Sequence, residues 1–88
     1  MNTNNHQWKI TEKGIHRQFV FGSFSEAFAF MTQVALLAEK YNHHPDWSNS
    51  FKIVDITYFT HDQNAITDLD WKLSQRIDRL YHNFSSTS

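Results

Sequence analysis

Hydrophobic and polar residues alternate near the start of the chain, which is typical of β-strands buried on one face. Residues 8–10 have the composition of a short strand, and Lys13-Gly14 is a turn signal. Residues 15–21 then place every second side chain on one side. One side consists of Ile15, Arg17, Phe19 and Phe21, and the other of His16, Gln18 and Val20. The pattern predicts two strands joined by a turn, the second ending before Gly22.

After Gly22 the apolar residues follow a helical period. Ser23 and Glu26 have the spacing of a capping box, so we predict a helix over residues 23–41. Its apolar residues form two adjacent stripes. These are Phe24, Phe28, Met31, Ala35 and Ala38 in one, and Ala27, Phe30, Val34, Leu37 and Tyr41 in the other. Because the stripes cover about half of the circumference, we expect this helix to need two neighbours, such as a sheet and a second helix.

The second half of the chain predicts a strand, a turn and another strand. Pro45 ends the helical segment. Trp47 is consistent with a short strand, and Ser48-Asn49-Ser50 with a turn. Residues 51–59 alternate again. The side chains expected to face the helices are Val54, Ile56 and Tyr58.

A second helix is predicted over residues 67–84. Thr67 and Asp70 form another capping box, and Ile66 and Trp71 occupy the positions of a hydrophobic staple. The apolar stripe that follows consists of Leu69, Leu73, Ile77, Leu80 and Phe84. The order of elements predicts an α+β fold, an antiparallel sheet of about four strands with two main helices on one face.

Length and composition limit the possible classes of protein. With 88 residues we expect a single domain spanning residues 1–88, with loose ends at 1–6 and 85–88. The chain has no Cys, which excludes disulfides and thiolate zinc sites. A net charge of -1 without a basic stripe gives no indication of direct nucleic-acid binding. The apolar runs are too short to span a membrane and no signal peptide is apparent, so we expect a cytoplasmic protein.

Three of the six histidines stand at the ends of predicted elements. His43 and His44 follow the first helix, and His61 follows the long strand. Side chains at such positions are able to converge in one cleft, and imidazole exchanges protons near neutral pH. We therefore predict a candidate acid–base site. Glu39, four residues before His43, and Asp70 are carboxylates suited to orient an imidazole.

Two other interpretations of these histidines remain open. An isolated loop histidine is usually a solvated surface residue. Three histidines also suffice for a catalytic zinc, although adjacent residues such as His43 and His44 seldom point at one ion. Serine-type catalysis and phosphate cradling lack support, since neither Gly-x-Ser-x-Gly nor a Gly-rich loop occurs.

Residues 39–47 read Glu-Lys-Tyr-Asn-His-His-Pro-Asp-Trp, and Thr60-His61-Asp62 and Thr67-x-x-Asp70 follow. This combination resembles the pterin-4a-carbinolamine dehydratase family, also known as 4a-hydroxytetrahydrobiopterin dehydratases. The similarity extends from about residue 8 to residue 80.

The resemblance implies a hydro-lyase that converts a 4a-hydroxytetrahydropterin to a quinonoid dihydropterin plus water during tetrahydrobiopterin recycling. It implies His43, His44 and His61 as the catalytic residues, without a metal or organic cofactor. By matching position, the implied substrate-binding residues are Glu39, Pro45, Thr60, Asp62 and Asp70.

The resemblance also bears on partners. It implies a homodimer or a dimer of dimers, and some family members are dimerisation partners of a transcription factor through a helical surface. Ala29 and Leu36 interrupt the polar side of the first helix, as a contact surface or as ordinary exposed apolar residues. A non-enzymatic dimerisation cofactor, or a pterin-binding protein without turnover, is the alternative to the enzyme.

Overall fold

A computed structural model describes residues 7–85, which form one antiparallel sheet with two helices on one of its faces. The elements are β1 (Lys9–Thr11), β2 (Gly14–Val20), α1 (Phe24–Tyr41), β3 (Asp46–Ser50), β4 (Ile53–Tyr58) and α2 (Asp68–Ser85). The strand order is β1-β2-β4-β3, and every neighbouring pair is antiparallel. The predicted α+β class and the sheet of about four strands are confirmed. The ends predicted to be loose lie outside the described residues, except that Ser85 is the last residue of α2.

The core lies between the sheet and the helices. Val54, Ile56 and Tyr58 are fully buried on the helix-facing side of β4, as their alternation predicted. Full burial of side chains of this size contributes about 1.5–3 kcal/mol each to the stability of the folded state. At the far end of the sheet an aromatic cluster joins β2 to both helices, with ring centroids 4.9–6.0 Å apart. Its members are Phe19, Phe21, Phe30, Tyr81 and Phe84. At the opposite end of the sheet Tyr58 pairs with Ile15, and His43 lies against Tyr58 there.

Arg17 is the one charged residue on the inward side of β2, and the fold supplies it with partners. Its Nη1 donates to Oδ1 of Asp78 at 2.7 Å, and Nε1 of Trp8 donates to the same oxygen at 2.8 Å. The guanidinium also lies over the rings of Phe19 and Tyr81. Burial raises the pKa of Asp78, and the two hydrogen bonds and the charge of Arg17 oppose that rise. The ion pair thus compensates the cost of placing a charge on the core side.

The helix α1 begins where its sequence predicted, although Glu26 bonds one residue before the N-cap and not to the N-cap amide as in a standard capping box. Oγ of Ser23 accepts a hydrogen bond from the Glu26 amide at 3.1 Å, and Oε1 of Glu26 accepts one from the Gly22 amide at 3.1 Å. These bonds satisfy amide groups that have no partner within the helix. Within residues 7–85, neither helix combines the length and the apolar character needed to cross a membrane.

The turn predicted at Ser48-Asn49-Ser50 is wrong. These residues belong to β3, and the reversal occurs at Phe51 and Lys52, where Phe51 has a φ of 56°. The small polar residues that suggested a turn instead tolerate the exposure of an edge strand. Asn49 supports the real turn, because its Nδ2 donates to the carbonyl oxygens of Phe51 and Ile53 at 3.2 and 3.0 Å.

The apolar surface of α1 is only partly covered within the monomer. The fully buried residues on this helix are Ala27, Phe30, Val34 and Ala38. Phe28 and Leu36 remain 57% and 67% exposed, and Phe24 is also exposed. The sheet and α2 therefore leave part of the apolar surface of α1 exposed, although its two stripes predicted that two neighbours would cover it.

Candidate active site

The three candidate histidines meet at the end of the sheet that lies beside the C-terminus of α1. They share a cavity of about 260 Å³. Its lining residues are Asn42, His43, His44, Phe59, Thr60, His61 and Asp62. The fold thus brings together side chains from two loops that are separated by the β3–β4 hairpin.

The end of α1 sets the direction of His43 and His44. Asn42 is the C-cap and adopts the left-handed conformation, with a φ of 51°. Its amide donates to carbonyls of the last helical turn, and the His43 amide donates to the Ala38 carbonyl oxygen at 3.0 Å. A left-handed cap ends a helix abruptly and turns the chain. The two histidines therefore leave the helix as an extended segment that leads into β3.

His43 binds a buried carboxylate. Its Nε2 lies 2.6 Å from Oδ1 of Asp70, which is 0% exposed. Oδ2 of Asp70 accepts hydrogen bonds from Oγ1 of Thr60 at 2.9 Å and from the Thr67 amide at 2.8 Å. Because Thr60 uses its hydroxyl hydrogen on Asp70, the Thr67 hydroxyl donates to Thr60 at 2.7 Å. Both oxygens of this buried group are thus engaged, as burial of a charge requires.

The capping box predicted at Thr67 and Asp70 is present in half of its usual form. The carboxylate of Asp70 accepts from the Thr67 amide, as in a standard box. The Thr67 hydroxyl, however, turns to Thr60 and away from the helix. The start of α2 therefore serves the site as well as the helix, since one carboxylate caps the helix and holds His43.

Tyr58, the last residue of β4, contacts His43 through both its hydroxyl and its ring. The hydroxyl of Tyr58 donates to the His43 carbonyl oxygen at 3.0 Å, and the two rings stack with centroids 5.1 Å apart and planes 29° from parallel. Burial, and then the negative charge of Asp70, raise the pKa of Tyr58 well above its usual value. The tyrosine is therefore neutral at physiological pH and acts as a hydrogen-bond donor.

His44 has a different partner and a more open position. Its Nε2 lies 2.7 Å from Oε2 of Glu39, and its side chain is 54% exposed. Glu39 was expected to orient an imidazole on the basis of its four-residue spacing from His43, and the imidazole that it contacts is that of His44. The left-handed cap at Asn42 breaks the helical spacing, so His43 turns inward to Asp70 while His44 turns back along α1.

His61 is the most accessible of the three imidazoles, with a side chain 71% exposed. It begins a short 3₁₀ helix, His61–Gln63, that is closed by reciprocal backbone hydrogen bonds between Thr60 and Ala65. Its ring meets the edge of the Phe59 ring with centroids 5.1 Å apart. Its Nε2 lies 3.7 Å from Oδ2 of Asp46, and a contact this exposed contributes little to the stability of the fold.

The sequence-predicted site residues fall into three groups. His43, His44, Thr60, His61 and Asp62 line the cavity. Asp70 and Glu39 lie behind the histidines as their carboxylate partners, whereas Pro45 does not line the cavity.

Sequence reasoning missed four residues that shape the site. These are Asn42, Asp46, Tyr58 and Phe59. Asn42 carried a usable signal, because Asn is a common left-handed cap residue at the end of a helix. Tyr58 and Phe59 carried none, since their alternation indicates only a strand. Within residues 7–85, no three His, Asp or Glu side chains are grouped so as to hold a metal ion.

A sequence model described as pterin 4 alpha carbinolamine dehydratase matches residues 1–80. Among curated proteins, the chain is 53% identical over 76 residues to a Mesorhizobium japonicum protein named "Putative pterin-4-alpha-carbinolamine dehydratase". That match covers 84% of this chain and 78% of the relative. A Chelativorans protein of the same name is 50% identical, with coverage of 82% and 76%.

Two solved structures share the fold. A transcriptional coactivator/pterin dehydratase from Brucella melitensis superposes with a TM-score of 0.82 at 42% identity, covering 85% of this chain and 82% of the other. A pterin dehydratase-like protein described as a RuBisCO assembly factor in the alpha-carboxysome gives a TM-score of 0.73 at 26% identity, with coverage of 86% and 94%.

Proposed function

The chain belongs to the pterin 4 alpha carbinolamine dehydratase family, and we propose that it dehydrates a 4a-hydroxytetrahydropterin to a quinonoid dihydropterin and water. The observation that carries this proposal is the shared cavity of His43 and His61, with His43 held by the buried carboxylate of Asp70. In a cell this reaction serves tetrahydrobiopterin recycling.

The proposed reaction requires two proton transfers. The bond between C4a and its hydroxyl oxygen breaks, the N5 proton is lost, and a double bond forms between C4a and N5. One imidazole protonates the departing hydroxyl so that it leaves as water, and another accepts the proton from N5. We assign these roles to the nitrogen of His43 that is not bonded to Asp70 and to the exposed ring of His61.

The remaining residues suit substrate binding. His44, paired with Glu39, and Asp62 both line the cavity, and such polar groups are able to hold the edge of a pterin ring. Phe59 adds an aromatic surface for a planar ligand. General acid–base catalysis of this kind contributes about 10²–10⁴-fold. The proposed mechanism therefore needs neither a metal nor an organic cofactor.

A direct dehydration assay tests the proposal. We expect the purified protein to accelerate loss of water from a 4a-hydroxytetrahydropterin generated in the assay, followed by the absorbance of the quinonoid product. Dialysis against a chelator should leave the rate unchanged, because imidazole moves both protons. A rate equal to that of the uncatalysed reaction would contradict the proposal, and activity lost to chelator but restored by zinc would favour a metal site.

A second candidate function is that of a dimerisation cofactor, a coactivator or a pterin-binding protein without turnover. It is favoured by the exposed apolar side chains Phe28 and Leu36 on α1, together with the coactivator and assembly-factor descriptions of two structural relatives. The dehydration assay separates the enzyme from these alternatives, because none of the three needs to turn over the substrate.

We also propose that the chain self-associates as a dimer or a dimer of dimers. The exposed apolar surface of α1 and the edge strands β1 and β3 support this assembly. Sedimentation velocity at micromolar concentration should show a species larger than a monomer. Phe28→Gln should shift the distribution toward smaller species if α1 is an interface, whereas Ser25→Ala on the same helix should not. A monomer alone would refute the assembly.

A further inference from the structure

Tyr58 has two separate contacts with His43, one to its backbone and one to its ring. We propose that Tyr58 is a positioning residue that orients the His43 imidazole for proton transfer. The proposal rests on the proposed function, in which His43 exchanges a proton with the substrate. It assigns a role beyond core packing to a residue that periodicity identifies only as part of a buried strand face.

The contact with Asp70 alone does not determine the orientation of the imidazole. A hydrogen bond at Nε2 fixes one atom of the ring and leaves the ring plane free to turn about that bond. The stacked ring of Tyr58 restricts this rotation, because a tilt of the imidazole would clash with the phenol or open a gap beneath it. With Nε2 of His43 on Asp70, Nδ1 is the nitrogen left for the substrate, and its direction depends on the ring plane.

The backbone contact acts on the loop. His43 lies in the short segment between the left-handed cap at Asn42 and the start of β3 at Asp46. The Tyr58 hydroxyl donates to the His43 carbonyl oxygen and so ties this segment to β4. Without that bond the imidazole would be attached to a less constrained backbone, and small displacements of a reacting group are costly to proton transfer.

Tyr58 is itself rigidly held, as a positioning residue must be. Its side chain is fully buried, and its strand pairs with β2 at Ile15. Gly14 begins β2 so close to the Tyr58 carbonyl oxygen that a Cβ at that position would collide with it. The tyrosine stays neutral, as its raised pKa indicates, so the hydroxyl retains its hydrogen across the working pH range.

Two substitutions separate the contacts. Tyr58→Phe keeps the stacked ring and removes the hydroxyl, and we expect kcat to fall about five- to tenfold, in line with the loss of one hydrogen bond, with KM almost unchanged. Tyr58→Leu also removes the stacking, and kcat should fall about 10²-fold. Ile56→Val is the matched control, because Ile56 is equally buried on the same face of β4 and lies two positions before Tyr58. Its kcat should remain that of the unaltered protein.

A second measurement does not depend on turnover. The His43 imidazole signals in a ¹H–¹³C NMR spectrum should be narrow in the unaltered protein and in Ile56→Val. In Tyr58→Phe they should be broadened by exchange between positions of the His43 segment, because this variant loses the bond that ties the segment to β4. Unchanged His43 line widths together with full kcat in a folded Tyr58→Phe variant would overturn the proposal. If the unaltered protein shows no dehydration, the proposed function fails, and the line widths alone still decide whether Tyr58 orients His43. Should Tyr58→Leu not fold, the Phe variant decides by itself.

Discussion

We expect His43→Ala and His61→Ala each to lower kcat by about 10²-fold or more, because in the proposed mechanism each removes a group that transfers a proton in the transition state. The two variants differ in how their folding should respond. His61 is largely exposed and lies in a short 3₁₀ helix, so its loss should leave the free energy of unfolding nearly unchanged. His43 is mostly buried against Asp70, so its removal also leaves a carboxylate without one of its partners.

Steady-state kinetics on variants of the other histidines tests whether the loss of kcat is specific to His43 and His61. His16 pairs with Asp55 on the sheet face opposite to the helices, and His16→Ala should retain full turnover. His44→Ala should raise KM more than it lowers kcat, because in the proposed mechanism His44 mainly holds the pterin ring. The double variant of His43 and His61 should lose less than the product of the two single losses, since residues that act as a unit are not additive. Full turnover in folded His43 and His61 variants would show that the proposed mechanism is wrong.

Replacement of Asp70 should affect stability and activity together, because one carboxylate serves both. In Asp70→Ala, the Thr67 amide, the Thr60 hydroxyl and the imidazole each lose a partner. We expect a loss of about 3 kcal/mol in the free energy of unfolding, since buried donors left without acceptors cost about 1–3 kcal/mol each and part of the site becomes open to water. Denaturant unfolding followed by fluorescence measures this change.

Asp70→Asn isolates the effect on the reaction. The amide is close in size to the carboxylate and retains one acceptor oxygen for the Thr67 amide, so the variant should fold. It places an uncharged group beside His43, and we expect kcat to fall about 10²-fold because the imidazole loses its charged partner. Asp68→Asn is the matched control, as Asp68 lies in the same first turn of α2 but is exposed. Equal kcat for the two variants would contradict a role for Asp70 in the site.

Much of the fold followed from periodicity alone. The alternation of residues 15–21 and 51–59 predicted two strands, the second with its correct helix-facing side, and capping residues located both helix starts to within a residue. These features depend on neighbours in the chain, through backbone geometry and the separation of apolar from polar side chains. The β3–β4 turn was misplaced for the same reason. Ser-Asn-Ser is a local turn signal, and strand pairing with β4 overrode it.

The sequence by itself determined which residues are candidates for the chemistry, because only a few side chains exchange protons near neutral pH and three of them stand at predicted element ends. Tertiary structure alone decided how they are paired. Asp70 meets His43 across 27 positions, and Tyr58 meets it across 15, whereas Glu39 contacts His44 because the left-handed cap at Asn42 redirects the chain. Hydrogen bonds act over about 3 Å, a separation that is fixed by the packing of β4 and α2 beside the end of α1 and not by spacing along the chain.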